Sequence, residues 1–443
     1  MLINKTMPDR ILVKNALIVT MNSSLEVFGG DILVQDGKIK QIGKFSDTDH
    51  SQEFNANGYI VIPGLIQTHV HLCQALFRNL ADDLSLLDWL TKKILPFENK
   101  HTPKSLSVSA RLGLAELIKS GTTTIMDFGT VRHQQIIFEE LASSGIRAFA
   151  GKTMMDSGDM PEDMKEKTFE SLAESEALAG QWHNYDNGRL KYAFAPRFVL
   201  TCSEELMIEA GKLAKKFSTL LHTHASENKE ETRLVLEKFG ERNILLFDKL
   251  GLADKNLCLA HCIWTDEKEI ALLKEREIKV LHCPSANLKL GSGIAPIPQY
   301  LQKGIHVSIG ADGAPCNNNM DVFNEMRLAS LIQKPIHGPE TMPAIETFKL
   351  ATINGAKALG LEKTIGSIEP GKAADLTFVK NNQVHSIPYE NIYSKLVYST
   401  QASDVEHVMV NGQWILSDKQ LITINENKLL DSLESRKVNF GIN

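Results

Sequence analysis

The feature that most constrains this chain is a repeated rhythm. Between Tyr59 and Gly310, short apolar strand-like runs alternate with amphipathic helical patterns. Eight such runs are present: Tyr59–Ile62, Thr122–Phe128, Arg147–Thr153, Leu190–Ala195, Thr219–His222, Asn256–Ala260, Lys279–His282 and His306–Gly310. Helical spacing of apolar residues separates most of them, as in Leu106–Lys119, Glu204–Phe217 and Asp266–Arg276. Eight strand and helix repeats predict a (β/α)8 barrel, whose usual core is roughly 250 residues before insertions. An open sheet with fewer strands is the alternative.

The flanks have a different texture. Residues 10–62 alternate apolar and polar positions, with Gly29-Gly30 and Asp36-Gly37 as hairpin turns, so a small antiparallel β module is expected. The same pattern returns after about residue 365, in Asp375–Val379 and Val405–Val410 with turns at Pro370-Gly371 and Asn411-Gly412. The economical reading is an α/β chain in which the barrel, residues 59–365, is inserted into a small β-sandwich domain built from both chain ends, 1–58 and 366–443. Asn425 to Arg436 is expected to form a terminal helix.

Composition narrows the function. A chain of 443 residues, 43% hydrophobic, buries a substantial core and is not a disordered or disulfide-stapled scaffold. Its 48 Lys+Arg against 54 Asp+Glu give a net charge of −6, without the basic footprint of a nucleic-acid binder. No stretch approaches 18 consecutive apolar residues, so no membrane span is expected, and Lys5, Asp9, Arg10 and Lys14 interrupt the apolar start that a signal peptide would need. Six cysteines without a CxxC pair read as reduced thiols in a cytoplasmic protein. A small-molecule ligand is favoured.

The chemistry concentrates at the ends of the predicted strands. Pro63-Gly64 is followed by Leu65-Ile66-Gln67-Thr68-His69-Val70-His71, and two histidines at i and i+2 of extended backbone point the same way, so both imidazoles can reach one ion. Strand five ends in His222-Thr223-His224-Ala225-Ser226-Glu227, strand six in His261-Cys262, strand seven in His282-Cys283 and strand eight in Gly310-Ala311-Asp312-Gly313. Barrel active sites lie at C-terminal strand ends, so these groups converge on one mouth and point to metal-centred hydrolysis.

These motifs, with HCPSANLKLGSGIAP, GADGAPCNNNMDVFNEMRLA and the closing GSIEPGKAADL, resemble the amidohydrolase superfamily over nearly the whole chain, in particular its mononuclear purine and triazine aminohydrolase branch. The resemblance implies metal ligation by His69, His71, His224 and Asp312 around one divalent ion, Zn2+ first and Fe2+ second. It also implies that Asp312 accepts a proton from water, His261 orients the nucleophile, and Glu227 protonates a ring nitrogen. Binuclear relatives carry a lysine at the end of strand four, where this chain reads Ala195-Pro196-Arg197-Phe198. A homo-oligomer is the implied assembly.

Two substrate classes compete. DDLSLLDWL, LPFE and the segment 310–327 resemble deaminases of adenosine-type nucleosides: S-adenosylhomocysteine, methylthioadenosine and 5′-deoxyadenosine. There Glu98 would accept from the ribose hydroxyls and Trp89 would line the pocket. RAFAGKTMMD and APRFVLTCSEELM are similar to guanine deaminases, in which Gln74 and Arg197 would read a purine carbonyl; the adenosine-type branch more often has histidine where Arg197 stands. His282 and Asn287 are placed near the base edge, and Cys316 in packing. The nucleoside reading is favoured; guanine, a related oxopurine or pterin, and triazines are the alternatives.

Overall fold

The computed structural model describes residues 10–46 and 52–434. Two sheets organise it. Barrel strands Leu65–His71, Thr122–Asp127, Arg147–Ala150, Leu190–Pro196, Leu220–Ala225, Leu257–His261, Lys279–His282 and His306–Ile309 pair side by side, each parallel to the next. The curled sheet closes where Asp312–Gly313 pairs parallel with the first strand, Asp312 opposite Val70 and Gly313 opposite His71. Closure is tight: a Cβ placed on Gly310 would lie 2.5 Å from the His69 carbonyl oxygen, so only glycine lets the eighth strand pass there. Thr68 adds a bond to Ser308, with 2.7 Å between their hydroxyl oxygens.

Helices cover the outside of the barrel, and their starts carry local signals. Helix Pro103–Lys119 opens with a capping box between Thr102 and Ser105 and a proline in its first turn. Asn228 and Asp266 cap helices Lys229–Phe239 and Glu267–Glu275 in the same reciprocal way, with Glu231 and Glu269 reaching back. Among the described residues, no helix is long and apolar enough to cross a membrane.

The second sheet joins both ends of the chain. Its strands run in the order Gln420–Leu421, Gln413–Ser417, Val405–Val410, Leu376–Lys380, Tyr59–Pro63, Arg10–Val19, Val27–Gln35 and Lys38–Gly43. Two expectations change here. Tyr59–Pro63 is not the first barrel strand: it pairs antiparallel with Leu376–Lys380 in the terminal sheet, and the chain crosses to the barrel at Gly64, so the barrel opens with Leu65–His71 itself. The sheet is also mixed rather than antiparallel, because Gln52–Asn55 and Tyr59–Pro63 both run parallel to Arg10–Val19. A short apolar run fits either sheet, and only tertiary pairing decides between them. The terminal helix is Glu426–Glu434; its expected continuation to Arg436, like the start of the chain through Asp9, lies outside the described residues.

A buried ion pair ties the two sheets. Arg147, which begins the third barrel strand, donates through Nε (2.8 Å) and Nη2 (3.1 Å) to both carboxylate oxygens of Asp375, just before strand Leu376–Lys380 of the terminal sheet. Both side chains are at most 5% exposed. Removing one partner of such a pair strands the other charge in a low-dielectric interior. Asp375→Ala is therefore expected to lower unfolding stability by about 3–5 kcal/mol, read by chemical denaturation; a loss below about 1 kcal/mol would mean the pair contributes no more than an exposed one.

Candidate active site

The C-terminal strand ends deliver the expected side chains to one buried cluster. His69 and His71 leave the first strand on the same face, with ring centroids 4.9 Å apart, and His224 from strand five stands 4.9 Å from His69 and 5.5 Å from His71. His261 stacks on His224 at 5.5 Å. Asp312 Oδ1 lies 3.4 Å from His69 Nε2 and 3.3 Å from His71 Nε2, and Glu227 Oε2 lies 3.4 Å from His261 Nε2. Ligand atoms of His69, His224 and His261, and separately of His69, Cys283 and Asp312, fall within 4.8 Å of one another.

The backbone is held in an uncommon conformation at these positions. Ser226, His261, Cys262 and Asp312 all have positive φ, +52°, +74°, +46° and +63°. Each costs an L-residue of order 1–3 kcal/mol, which the packed strand ends must offset.

The hydrogen bonds identify which ring nitrogens face the cluster. His224 Nδ1 lies 2.8 Å from the Arg197 carbonyl oxygen, an acceptor only, so Nδ1 carries the hydrogen and Nε2 presents a lone pair. His69 Nδ1 is tied to His222 Nε2 and His261 Nδ1 to Asn287 Oδ1, each at 2.8 Å. His69 Nε2 and His261 Nε2 are then buried with no partner. Burial keeps His71 and His224 neutral, their pKa values well below the usual range, and brings His261 down to about 4. Neutral imidazole lone pairs aimed at an ionised carboxylate repel unless a cation lies among them. This donor set fits a divalent metal ion, with the outward nitrogens anchored as metal-binding histidines require.

Beside the cluster opens a cavity. Leu86, Trp89, Leu90, Phe198 and Leu290 make its apolar wall, and Gln74, Arg197, Glu227 and Glu231 its polar points. Burial, with Asp312 and Glu231 nearby, pushes the Glu227 carboxyl well above the usual carboxylate range.

The family pattern described as "Amidohydrolase family" matches residues 60–415. The chain belongs to the amidohydrolase family. It is 39% identical over 418 residues, 94% of this chain and 95% of the relative, to a 5′-deoxyadenosine deaminase of Methanosphaera stadtmanae. It is 36% identical over 412 residues, 93% and 95% of the two chains, to a 5-methylthioadenosine/S-adenosylhomocysteine deaminase of Thermococcus onnurineus. Its fold superposes on an adenosine deaminase from Xanthomonas campestris with bound zinc, at a TM-score of 0.91 and 27% identity, covering 97% of this chain and 98% of that one. Amidohydrolase barrels with a sheet from both ends are the shared architecture.

Within this amidohydrolase, other expected residues take different places. Glu98, Arg197 and Gln74, read from the sequence as rival substrate contacts, form one bonded group: Arg197 Nη1 lies 2.7 Å from Glu98 Oε2, Nη2 3.3 Å from Oε1, and Gln74 Nε2 2.8 Å from Oε1. Trp89 lines the cavity with its indole Nε1 unpartnered. His282 is buried behind the cavity, which it does not line, and both its ring nitrogens lack partners. Asn287, placed at a base edge from the sequence, instead holds His261. Cys316 is packed, its thiol donating to the Gly313 carbonyl at 3.0 Å.

Sequence reasoning missed three residues. His222 anchors His69, and Phe128 packs against His224 with centroids 4.4 Å apart. Glu231 accepts from the Glu227 backbone N–H at 2.7 Å and fixes the loop that carries the acid, with its own carboxyl pushed up to about 7 by burial. The capping-box spacing Asn228 to Glu231 was the available signal for the last of these.

Proposed function

We propose that this protein is a metal-dependent hydrolytic deaminase of adenosine-type nucleosides, such as 5′-deoxyadenosine, methylthioadenosine and S-adenosylhomocysteine. The observation that carries the reading is Glu227, its carboxyl pushed up by burial, set 3.4 Å from His261 between the imidazole–carboxylate cluster and a cavity lined by Trp89 and Phe198. The names of the relatives agree with it.

His69, His71, His224 and Asp312 would hold the ion, with zinc preferred and iron(II) second. When bound, such an ion supplies the Lewis acidity that brings the pKa of water toward neutrality. The chain's own groups do the rest. Asp312 takes the proton from the attacking water. His261, fixed by Asn287, orients that water toward the amine-bearing carbon. Glu227 delivers its proton to the adjacent ring nitrogen as the new C–O bond forms. Asp312 passes the proton it took from water to the exocyclic amine, the C–N bond breaks to release ammonia, and the new hydroxyl gives its proton back to Glu227 as the carbonyl forms.

Arg197 bears on the choice between nucleoside and guanine. Its guanidinium is engaged with Glu98 through Nη1 and Nη2 in a pair whose side chains are at most 5% exposed, which supports the nucleoside reading over a guanidinium given wholly to a purine carbonyl. Ammonia release from 5′-deoxyadenosine, methylthioadenosine, S-adenosylhomocysteine, guanine and pterin tests the reading. At least one nucleoside is expected to exceed guanine by about tenfold or more in kcat/KM; guanine as the best substrate would overturn it. The six cysteines, all buried and free, suit a reducing compartment, and we place the protein in the cytoplasm.

A further inference from the structure

Two of the sequence motifs, residues 282–296 and 310–329, meet at a buried carboxylate that the reaction above leaves without a role. Glu325, on helix Val322–Leu331, is fully buried. Its Oε1 accepts from the Asn317 side-chain amide at 2.8 Å and from the Ser285 hydroxyl, and its Oε2 accepts from the Ser285 backbone N–H at 3.2 Å. A carboxylate, with two oxygens that only accept, can satisfy all three donors at once.

Each side of this clamp leads to a group that acts on water. Ser285 lies in the first turn of helix Pro284–Lys289, and Asn287 on the same helix accepts from His261 Nδ1 at 2.8 Å. The Asn317 amide also donates to the Ala311 carbonyl at 2.8 Å, at the peptide that enters Asp312. Asp312 has φ +63°, a conformation that persists only where its surroundings hold it. One side chain therefore braces the loops after strands seven and eight together. Half-buried Lys289, donating to the Pro315 carbonyl at 2.7 Å, is a second tie between them.

We propose that Glu325 is a positioning residue, a single carboxylate that keeps His261 and Asp312 aligned with each other for the attack of water. It acts through Asn287 and Asn317, and the proposal rests on the roles given to His261 and Asp312 above.

The test measures kcat, KM, metal content and a denaturation midpoint for Glu325→Gln, for the half-buried Asn317→Ala, and for the two combined, on the nucleoside that wild type turns over best. Gln offers one acceptor oxygen where the carboxylate offers two, and its –NH2 must face one of the donors. Both single variants are expected to keep about one ion per chain and to hold KM within about threefold of wild type, while kcat falls about tenfold or more, since a misplacement of about 1 Å can cost about 100-fold. The combined variant is expected to lie within about threefold of the slower single, because the two side chains share one network. A merely structural Glu325 would lower the denaturation midpoint and leave kcat per metal-loaded chain at the wild-type value; that result would overturn the proposal. So would a loss carried by KM or by metal content alone, or losses that multiply in the combined variant. If Glu325→Gln does not fold, Asn317→Ala decides, and an unchanged kcat there overturns the proposal. Wild-type protein inactive on every nucleoside would overturn the nucleoside reading; the same kcat comparison on the base that it does turn over then judges this inference separately.

Discussion

Asp312→Ala protein is expected to purify without its divalent ion and without measurable turnover. The substitution removes the single carboxylate facing His69 Nε2 and His71 Nε2 and leaves only neutral imidazoles around the position. Even losses in the shell behind the ligands commonly weaken metal affinity about 10- to 100-fold, and loss of a charged ligand is more severe. The same substitution takes away the proton acceptor for water, so added metal should not restore the rate. His69→Ala should behave alike, because this ring is shared by both close groups of ligand atoms. Elemental analysis of wild type should give about one ion per chain, as expected without a lysine at the end of strand four. A stoichiometry near two, or a variant that keeps both ion and activity, would show the ligand set to be wrong.

Glu227→Gln is expected to separate binding from chemistry. The amide keeps the size of the side chain and leaves the imidazole–carboxylate cluster intact, so metal content and fold should match wild type. It cannot deliver and regain a proton, and a positioned general acid or base contributes about 10²–10⁴ in rate, so kcat should fall by that factor with little change in KM. The carboxyl is poised for the task by burial and by the negative charges of Asp312 and Glu231, which favour its protonated form. A fall of less than about tenfold would remove Glu227 from the proton path.

What the sequence made legible was local. His69 and His71 share a strand, and His224 lies three residues before Glu227, so period-two geometry and strand-end position identified them without knowledge of the rest of the chain. Pairings across long separations were hidden. Glu98 and Arg197 are 99 residues apart, and each taken alone suits a substrate contact; only the fold shows that they engage each other, with Gln74 bonded to Glu98. His222 looked like one more strand histidine until its ring was found behind His69, 153 residues away. Tyr59–Pro63 was misplaced for a related reason: Ile60, Val61 and Ile62 are apolar in both of the sheets they could join, and their partner strand lies beyond the whole barrel.

That partnership also imposes an order on synthesis. The terminal sheet cannot join Tyr59–Pro63 to Leu376–Lys380 until the ribosome has passed residue 380, after every barrel strand has emerged. Until then the nascent chain carries Ile60, Val61 and Ile62, all fully buried in the finished protein, on an edge with no partner. Contacts of such high sequence separation form late. A product terminated between Gly313 and Leu376 would therefore hold the whole catalytic constellation yet expose a sticky strand, and translation interrupted there is expected to yield aggregation-prone chains rather than small working enzymes.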